Sequence, residues 1–233
     1  MSSKEVIFNE DPSGLFTMEP NGRFTMDKSL NHPDVGRGVG EESHGAEKYW
    51  PEFIEYPKTP RLNRDVIITE KIDGTNAQIF IDDTGRIFAG SRSRWITPAN
   101  DNYGFARWVE GNKTELLKLG PGRHFGEWWG AGIQRRYNQD RKRFSLFNVK
   151  RWSEVFVGEV GNETRPSCCD VVPTFWHGPF DSTDVRIAID RLKAEGSWAA
   201  PGFMRPEGII VYHTAAQKPF KVLLENDEGR KGE

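Results

Sequence analysis

The chain has 233 residues, 28% of them charged and 36% hydrophobic, with a formal net charge of −2. This composition is ordinary for a soluble globular protein, and the length suits one moderately large domain or a compact catalytic domain with a small appendage. No apolar run approaches the ~20 residues that cross a bilayer, and the start Met1-Ser2-Ser3-Lys4-Glu5 lacks a signal-peptide core, so the expectation is a cytoplasmic protein with no membrane partner.

Residues 1–45 scatter Gly, Pro, Asn and Asp with weak periodicity and read as a loop-rich N-terminal extension. Their glycine run, Val35-Gly36-Arg37-Gly38-Val39-Gly40, has no following Gly-Lys-Ser/Thr step and no preceding strand, so it is not read as a phosphate loop. From Arg64 onward the texture changes. Val66–Thr69, Ala77–Ile81 and Arg86–Ala89 read as strands, with Asp82-Asp83-Thr84-Gly85 a hairpin turn between the last two. Helical spacing of Phe105, Trp108, Val109 and Leu116 predicts a helix over 102–119, with Gly111 weakening its continuity.

Further strands are expected at Arg123–Trp128, Arg143–Val149, Val155–Val160, Glu207–Tyr212 and Phe220–Leu224. The clearest helix is Val185–Ala194, with Asp181, Ser182 and Thr183 as possible caps and Gly196 closing it. Strand runs broken by two helices, with no regular strand–helix alternation, imply an α+β fold built on antiparallel sheets. The adjacent Cys168 and Cys169 cannot staple distant segments and are read as reduced packing residues; His124, His177 and His213 show no metal-ligand spacing. Between Gln134 and Trp152, seven cations (Arg135, Arg136, Arg141, Lys142, Arg143, Lys150, Arg151) face one acid, Asp140. That stretch reads as either a phosphate-backbone surface or a solvated loop.

Chemistry concentrates at Glu70-Lys71-Ile72-Asp73-Gly74-Thr75-Asn76, directly after an apolar strand. A lysine at a strand end is a candidate nucleophile, because an ε-amine attacks phosphorus once neutral and a desolvated pocket with nearby cations favours that form. The plainer reading is a hairpin turn with Gly74 supplying a positive φ. Downstream, in order, come His124-Phe125-Gly126-Glu127-Trp128-Trp129-Gly130, Ser145-Leu146-Phe147-Asn148-Val149, Glu207-Gly208-Ile209-Ile210-Val211 and Lys218-Pro219-Phe220-Lys221-Val222. Taken singly, each has a structural rival: Glu127 a solvent-facing strand residue, Phe147 a core ring, Glu207 and Lys221 a cross-strand pair.

As an ordered set these segments resemble the covalent nucleotidyltransferase superfamily, and most closely the ATP-dependent RNA ligases related to phage T4 RNA ligase 2 and the trypanosome editing ligases. The likeness runs from roughly Tyr56 to Asn226. It implies an ATP-grasp-like ligase adenylation domain over 46–233, of antiparallel sheets with flanking helices. It also implies an enzyme, monomeric, acting on RNA ends and ATP with Mg2+ or Mn2+.

Residue by residue, the resemblance makes Lys71 the nucleophile on the α-phosphorus of ATP and Glu70 the reader of the adenine amino group. Asn76 would lie near the phosphates, Arg92 would contact the nucleotide and the RNA end, Glu127 would bind the ribose hydroxyls and Phe147 would stack on adenine. Glu207 would bind metal, and Lys218 and Lys221 would grip the α-phosphate. Phosphoryl transfer asks for in-line positioning and charge neutralisation, which lysines and a carboxylate-bound divalent cation supply; a cation and Lys218 or Lys221 beside Lys71 would help strip its proton.

Two departures stand out. Relatives carry lysine, one residue, lysine in the last motif, whereas Lys218 and Lys221 are two residues apart, which favours Lys221 at the phosphate. The sequence also ends 12 residues past Lys221, without the C-terminal domain many relatives have. A DNA ligase, a GTP-dependent capping enzyme and a non-catalytic RNA-end-binding module are the alternatives.

Overall fold

The computed structural model describes residues 52–153 and 165–225, and the backbone of two strands nearer the start. Those strands, β1 (Phe16–Met18) and β2 (Phe24–Met26), pair antiparallel. Apart from them, the 1–45 extension with its glycine run, and the expected strand Val155–Val160, lie outside the described residues. By its internal contacts the chain separates into Met1–Glu55 and Tyr56–Glu233. Everything below concerns the second unit.

Two sheets carry it. One has four strands in the order β10 (Thr174–Pro179), β3 (Asp65–Lys71), β11 (Gly208–His213), β12 (Lys218–Leu223), all antiparallel. The other has six, in the order β6 (Trp95–Ile96), β5 (Ile87–Ser91), β4 (Thr75–Ile81), β7 (Gly122–Gly130), β8 (Lys142–Leu146), β9 (Asp170–Val171). Only the β8–β9 pair is parallel among these. This is the expected α+β architecture of antiparallel sheets.

Period-two alternation explains how each sheet finds its core. On β4 and its neighbours, Ala77, Ile79, Ile81, Ala89 and Trp128 turn inward against α1 (Phe105–Gly111) and α2 (Lys113–Leu116), where Phe105 and Leu116 are wholly buried. The helix expected over 102–119 is thus divided, as Gly111 indicated, and finishes in a 3-10 turn at Leu117–Leu119. The four-stranded sheet buries Val66, Ile68, Ile209 and Val211 against Ala188 and Leu192 of α4 (Ser182–Glu195), the segment following α3 (Val149–Trp152) in helix order. Asp181 caps α4 by accepting from Thr183 N, and Gly196 ends it.

Three local readings change. The strand expected to reach Val149 stops at Leu146, because Asn148 caps α3 by accepting from Arg151 N. Strands β6, β9 and β10 were not anticipated, being short or, in β10, mixed in polarity. Gly74 does not adopt a positive φ; a Cβ there would lie 2.5 Å from the Trp128 carbonyl oxygen and 2.7 Å from Trp129 Cβ, so close approach demands the glycine. Gly85 does supply the hairpin's positive φ, at 79°.

Cys169 is buried in the six-stranded core and the two sulfurs stand 4.0 Å apart, unbonded, with burial pushing both thiols up. Among the described residues no helix is long and apolar enough to cross a membrane.

Candidate active site

Lys71 ends β3 on one sheet and Thr75 begins β4 on the other, so the motif is the place where the chain changes sheets. That crossing brings residues from both sheets to one point. Lys71 Nζ donates to Glu207 Oε2 at 2.5 Å, both side chains being largely buried. Glu207 arrives there because Gly208, the first residue of β11, is paired with Lys71. Glu127 reaches the same point from β7, accepting from Gly74 N at 3.0 Å through Oε1. Burial pushes the Glu127 carboxyl up to about 7; Lys71 pulls it down, while Glu207 and Asp73 add to the rise. Lys71, Glu207, Asp73 and Glu127 are therefore one electrostatic cluster.

The partner in contact with Lys71 is a carboxylate, Glu207. Across β11 from Lys71, the residue level with it on β12 is Leu223; Lys221 pairs with Ile210, one step further along the same face. Lys218 pairs with His213 and so projects from the opposite face, the one packed on α4. Of the two lysines, the register therefore sets Lys221, the one favoured from the sequence, on the Lys71 side.

Glu70 is held on the other side of the strand. It is 1% exposed and lies on the face opposite Lys71, where Oε1 accepts from Ser197 Oγ at 2.5 Å and Oε2 from Trp198 N and Ala199 N at 2.9 and 2.8 Å. Burial raises its carboxyl and the three donors offset part of that rise. Its carboxylate is thereby an anchor for the 197–199 loop, with its acceptors turned away from the Lys71 cluster.

Asn76 is exposed and sits opposite Glu127 on the open face of the six-stranded sheet. Arg92 is exposed in the turn just past Ser91, which pairs with the neighbouring Ala77, so it leaves the sheet beside Asn76. Phe147 donates its N–H to Phe125 O at 3.0 Å and is 39% exposed, so its ring is available to a ligand and not a core ring. A cavity of about 180 Å³ lies between Trp129, Ser145 and the Arg143–Asp170 pair on one side and Trp198 and Ala199 on the other, its wall set by the loop that Glu70 holds.

One arm of the site was missed as such in the sequence. Arg135 Nε binds Asp73 Oδ2 at 3.0 Å, and Nη1 donates to Arg205 O at 3.0 Å, just before Glu207. Asp73 N donates to Tyr137 Oη at 2.8 Å, and Tyr137 is wholly buried against Trp129 and Phe203. To place both side chains, Gln134, Arg136, Tyr137 and Asn138 all take positive φ, between 43° and 61°. Each such residue costs about 1–2 kcal/mol, so burial of Tyr137 and the Arg135 clamp hold a strained loop. The basic stretch is accordingly not one surface: Arg143 pairs with Asp170, Lys142 donates to Tyr103 O and Arg151 to Leu119 O. Its plain charge pattern hid the clamp.

A family model described as RNA ligase matches residues 64–223, more than half of the chain. The chain belongs to the RNA ligase family. Its fold also matches solved structures of the Naegleria gruberi RNA ligase. A lysine-to-alanine variant with ATP and manganese gives 17% identity and a TM-score of 0.50 over 75% of this chain and 57% of that one. A lysine-to-methionine variant of the same ligase, with AMP and manganese, gives the same figures. The chain thus spans a little over half the length of these family members. No curated protein sequence matches it.

Glu207 and Glu127 bring carboxylate oxygens to the Lys71 point, and a hard divalent cation takes one or two carboxylates and keeps several waters. Among the described residues no group of three or more His, Cys, Asp and Glu side chains is gathered so as to hold a metal ion.

Proposed function

We propose that this protein is an ATP-dependent RNA ligase, joining 5′-phosphate to 3′-hydroxyl RNA ends through lysyl-AMP and RNA-adenylate intermediates. The single observation that carries the reading is the Lys71–Glu207 contact, made where two sheets meet, beside Glu127. Lys71 is held in place, and it must give up its bond to Glu207 and lose a proton before its amine can form an N–P bond with the α-phosphorus of ATP. The bond from that phosphorus to pyrophosphate breaks in the same step. Glu127 would accept from the ribose hydroxyls, the half-exposed Phe147 would stack on adenine, and Lys221, on the Lys71 face of β12, would bring a cation to the α-phosphate.

Glu207 would bind Mg2+ or Mn2+, whose remaining ligands would be water and nucleotide oxygens and which supplies charge neutralisation at the phosphates. The Naegleria ligase structures with ATP or AMP and manganese support the same choice of nucleotide and metal. Asn76, opposite Glu127 on the open sheet face, and Arg92, just past Ser91, would serve the phosphates and the RNA end.

Incubation with α-labelled ATP and magnesium should transfer label to the protein, and Lys71→Ala should abolish transfer. Label surviving that substitution would falsify the nucleophile. Competition with GTP, followed by sealing of RNA against DNA ends, separates ligation of RNA from capping and from DNA joining.

A further inference from the structure

The open face of the six-stranded sheet continues from Asn76 and Glu127 into an exposed aromatic patch that the chemistry above does not use. Along β4, Asn76, Gln78 and Phe80 point to this face at ~6.8 Å steps. The registers set Phe125 opposite Gln78, Phe88 opposite Phe80, and Trp95 opposite Gly90. Phe88, Trp95 and Phe125 are 41, 49 and 44% exposed, although the other face of the same strands buries Ala77, Ile79, Ala89 and Ile96 in the core. Phe80, Phe88 and Trp95 form a mutually tilted trio with centroids 6.0–6.3 Å apart.

A guanidinium is fixed over this trio. Arg123 Cζ lies 4.9 Å from the Phe80 centroid and 5.4 Å from that of Trp95, and Nη1 donates to Gln78 Oε1 at 3.0 Å. Gln78 can lie flat enough to do this because the residue beside it is Gly90, where a Cβ would come within 2.7 Å of Gln78 Cγ. Aromatic faces interleaved with a positioned arginine are what successive bases and their phosphates require. A purely apolar partner has no use for a cation laid across its contact surface.

We propose that this patch is a stacking platform for unpaired bases of the RNA substrate, leading the strand along the sheet to the Asn76–Glu127 end. The proposal deepens the ligase reading by naming where the strand lies, and it rests on that reading for the identity of the substrate. Its chemistry also assigns preference: a base inside a duplex has no free face to stack on these rings.

The test is fluorescence anisotropy with a labelled single-stranded RNA and a labelled blunt RNA duplex, on the full chain. Phe88→Ala and Trp95→Ala should each weaken single-strand binding about 5- to 100-fold. Duplex binding should move little, Trp95→Phe should recover most of the loss, and label transfer from ATP to the protein should stay at the wild-type level. Unchanged single-strand affinity, or a wild-type protein that does not bind it, overturns the platform. A loss of melting temperature and labelling in the alanine variants also overturns it, since the rings would then be covered structure. Ring-dependent RNA binding by a wild-type protein that never takes label from ATP would sink the ligase reading and leave the platform standing.

Discussion

Glu70→Ala removes in one change the acceptor for Ser197 Oγ, Trp198 N and Ala199 N. Each buried donor left unpaired costs about 1–3 kcal/mol. Trp198 and Ala199 are only half-buried, so water recovers part of the loss. The expected destabilisation is about 3–5 kcal/mol, or about 10 °C in melting temperature for a chain of this size. Glu70→Gln should behave differently. Its carbonyl oxygen can still take both backbone N–H groups while its amide donates to Ser197 Oγ, which already accepts from Ala200 N. Only the serine proton loses its acceptor, a cost of about 1 kcal/mol. Urea titration followed by tryptophan fluorescence measures both, alongside the KM for ATP in the labelling reaction. An alanine variant of wild-type stability but with a raised KM would refute the anchor role and return the carboxylate to the nucleotide.

Glu127 has a folded-state value of about 7, above its ordinary 4.5, so its ionisation opposes folding: the penalty is absent below the unfolded value, grows between the two and is full above 7. In metal-free buffer Glu127→Gln should therefore stabilise the protein by about 3 kcal/mol at pH 8 and by nothing measurable near pH 4; a gap independent of pH refutes the shift. Arg135→Ala should cost about 2–3 kcal/mol by freeing Asp73 and the 205–206 backbone. It should also slow label transfer, and Arg135→Lys should restore little, because a lysine lacks the fork; wild-type labelling rates in both variants would remove the clamp from the mechanism. Lys221→Ala should lower the rate of label transfer at least tenfold, a loss of ~1.4 kcal/mol of transition-state stabilisation, while Lys218→Ala leaves it unchanged; equal effects would contradict the strand register.

Much of the site was legible along the chain because its motifs are local. Lys71, Asp73 and Gly74 fall within one sheet-to-sheet crossing, and the strands around Glu127 and Glu207 announce themselves by alternation and bounding glycines. Helix α4 was equally plain, since its cap, its periodic core residues and its terminal glycine are all near neighbours in sequence. Short β6 and β9 carried too few residues for any period to show.

What the chain order could not express is which face of a strand a residue occupies once two sheets are stacked. Glu70 and Lys71 are adjacent, yet strand alternation sends one to the 197–199 loop and the other to Glu207. The same parity separates Lys221 from Lys218, and only the pairing of β12 with β11 fixes it. Arg135 meets Asp73 across 62 positions, a contact that exists because burying Tyr137 forces the intervening turn into a left-handed course. Composition and motif settle which chemistry is available; long-range register and burial decide which of those groups touch.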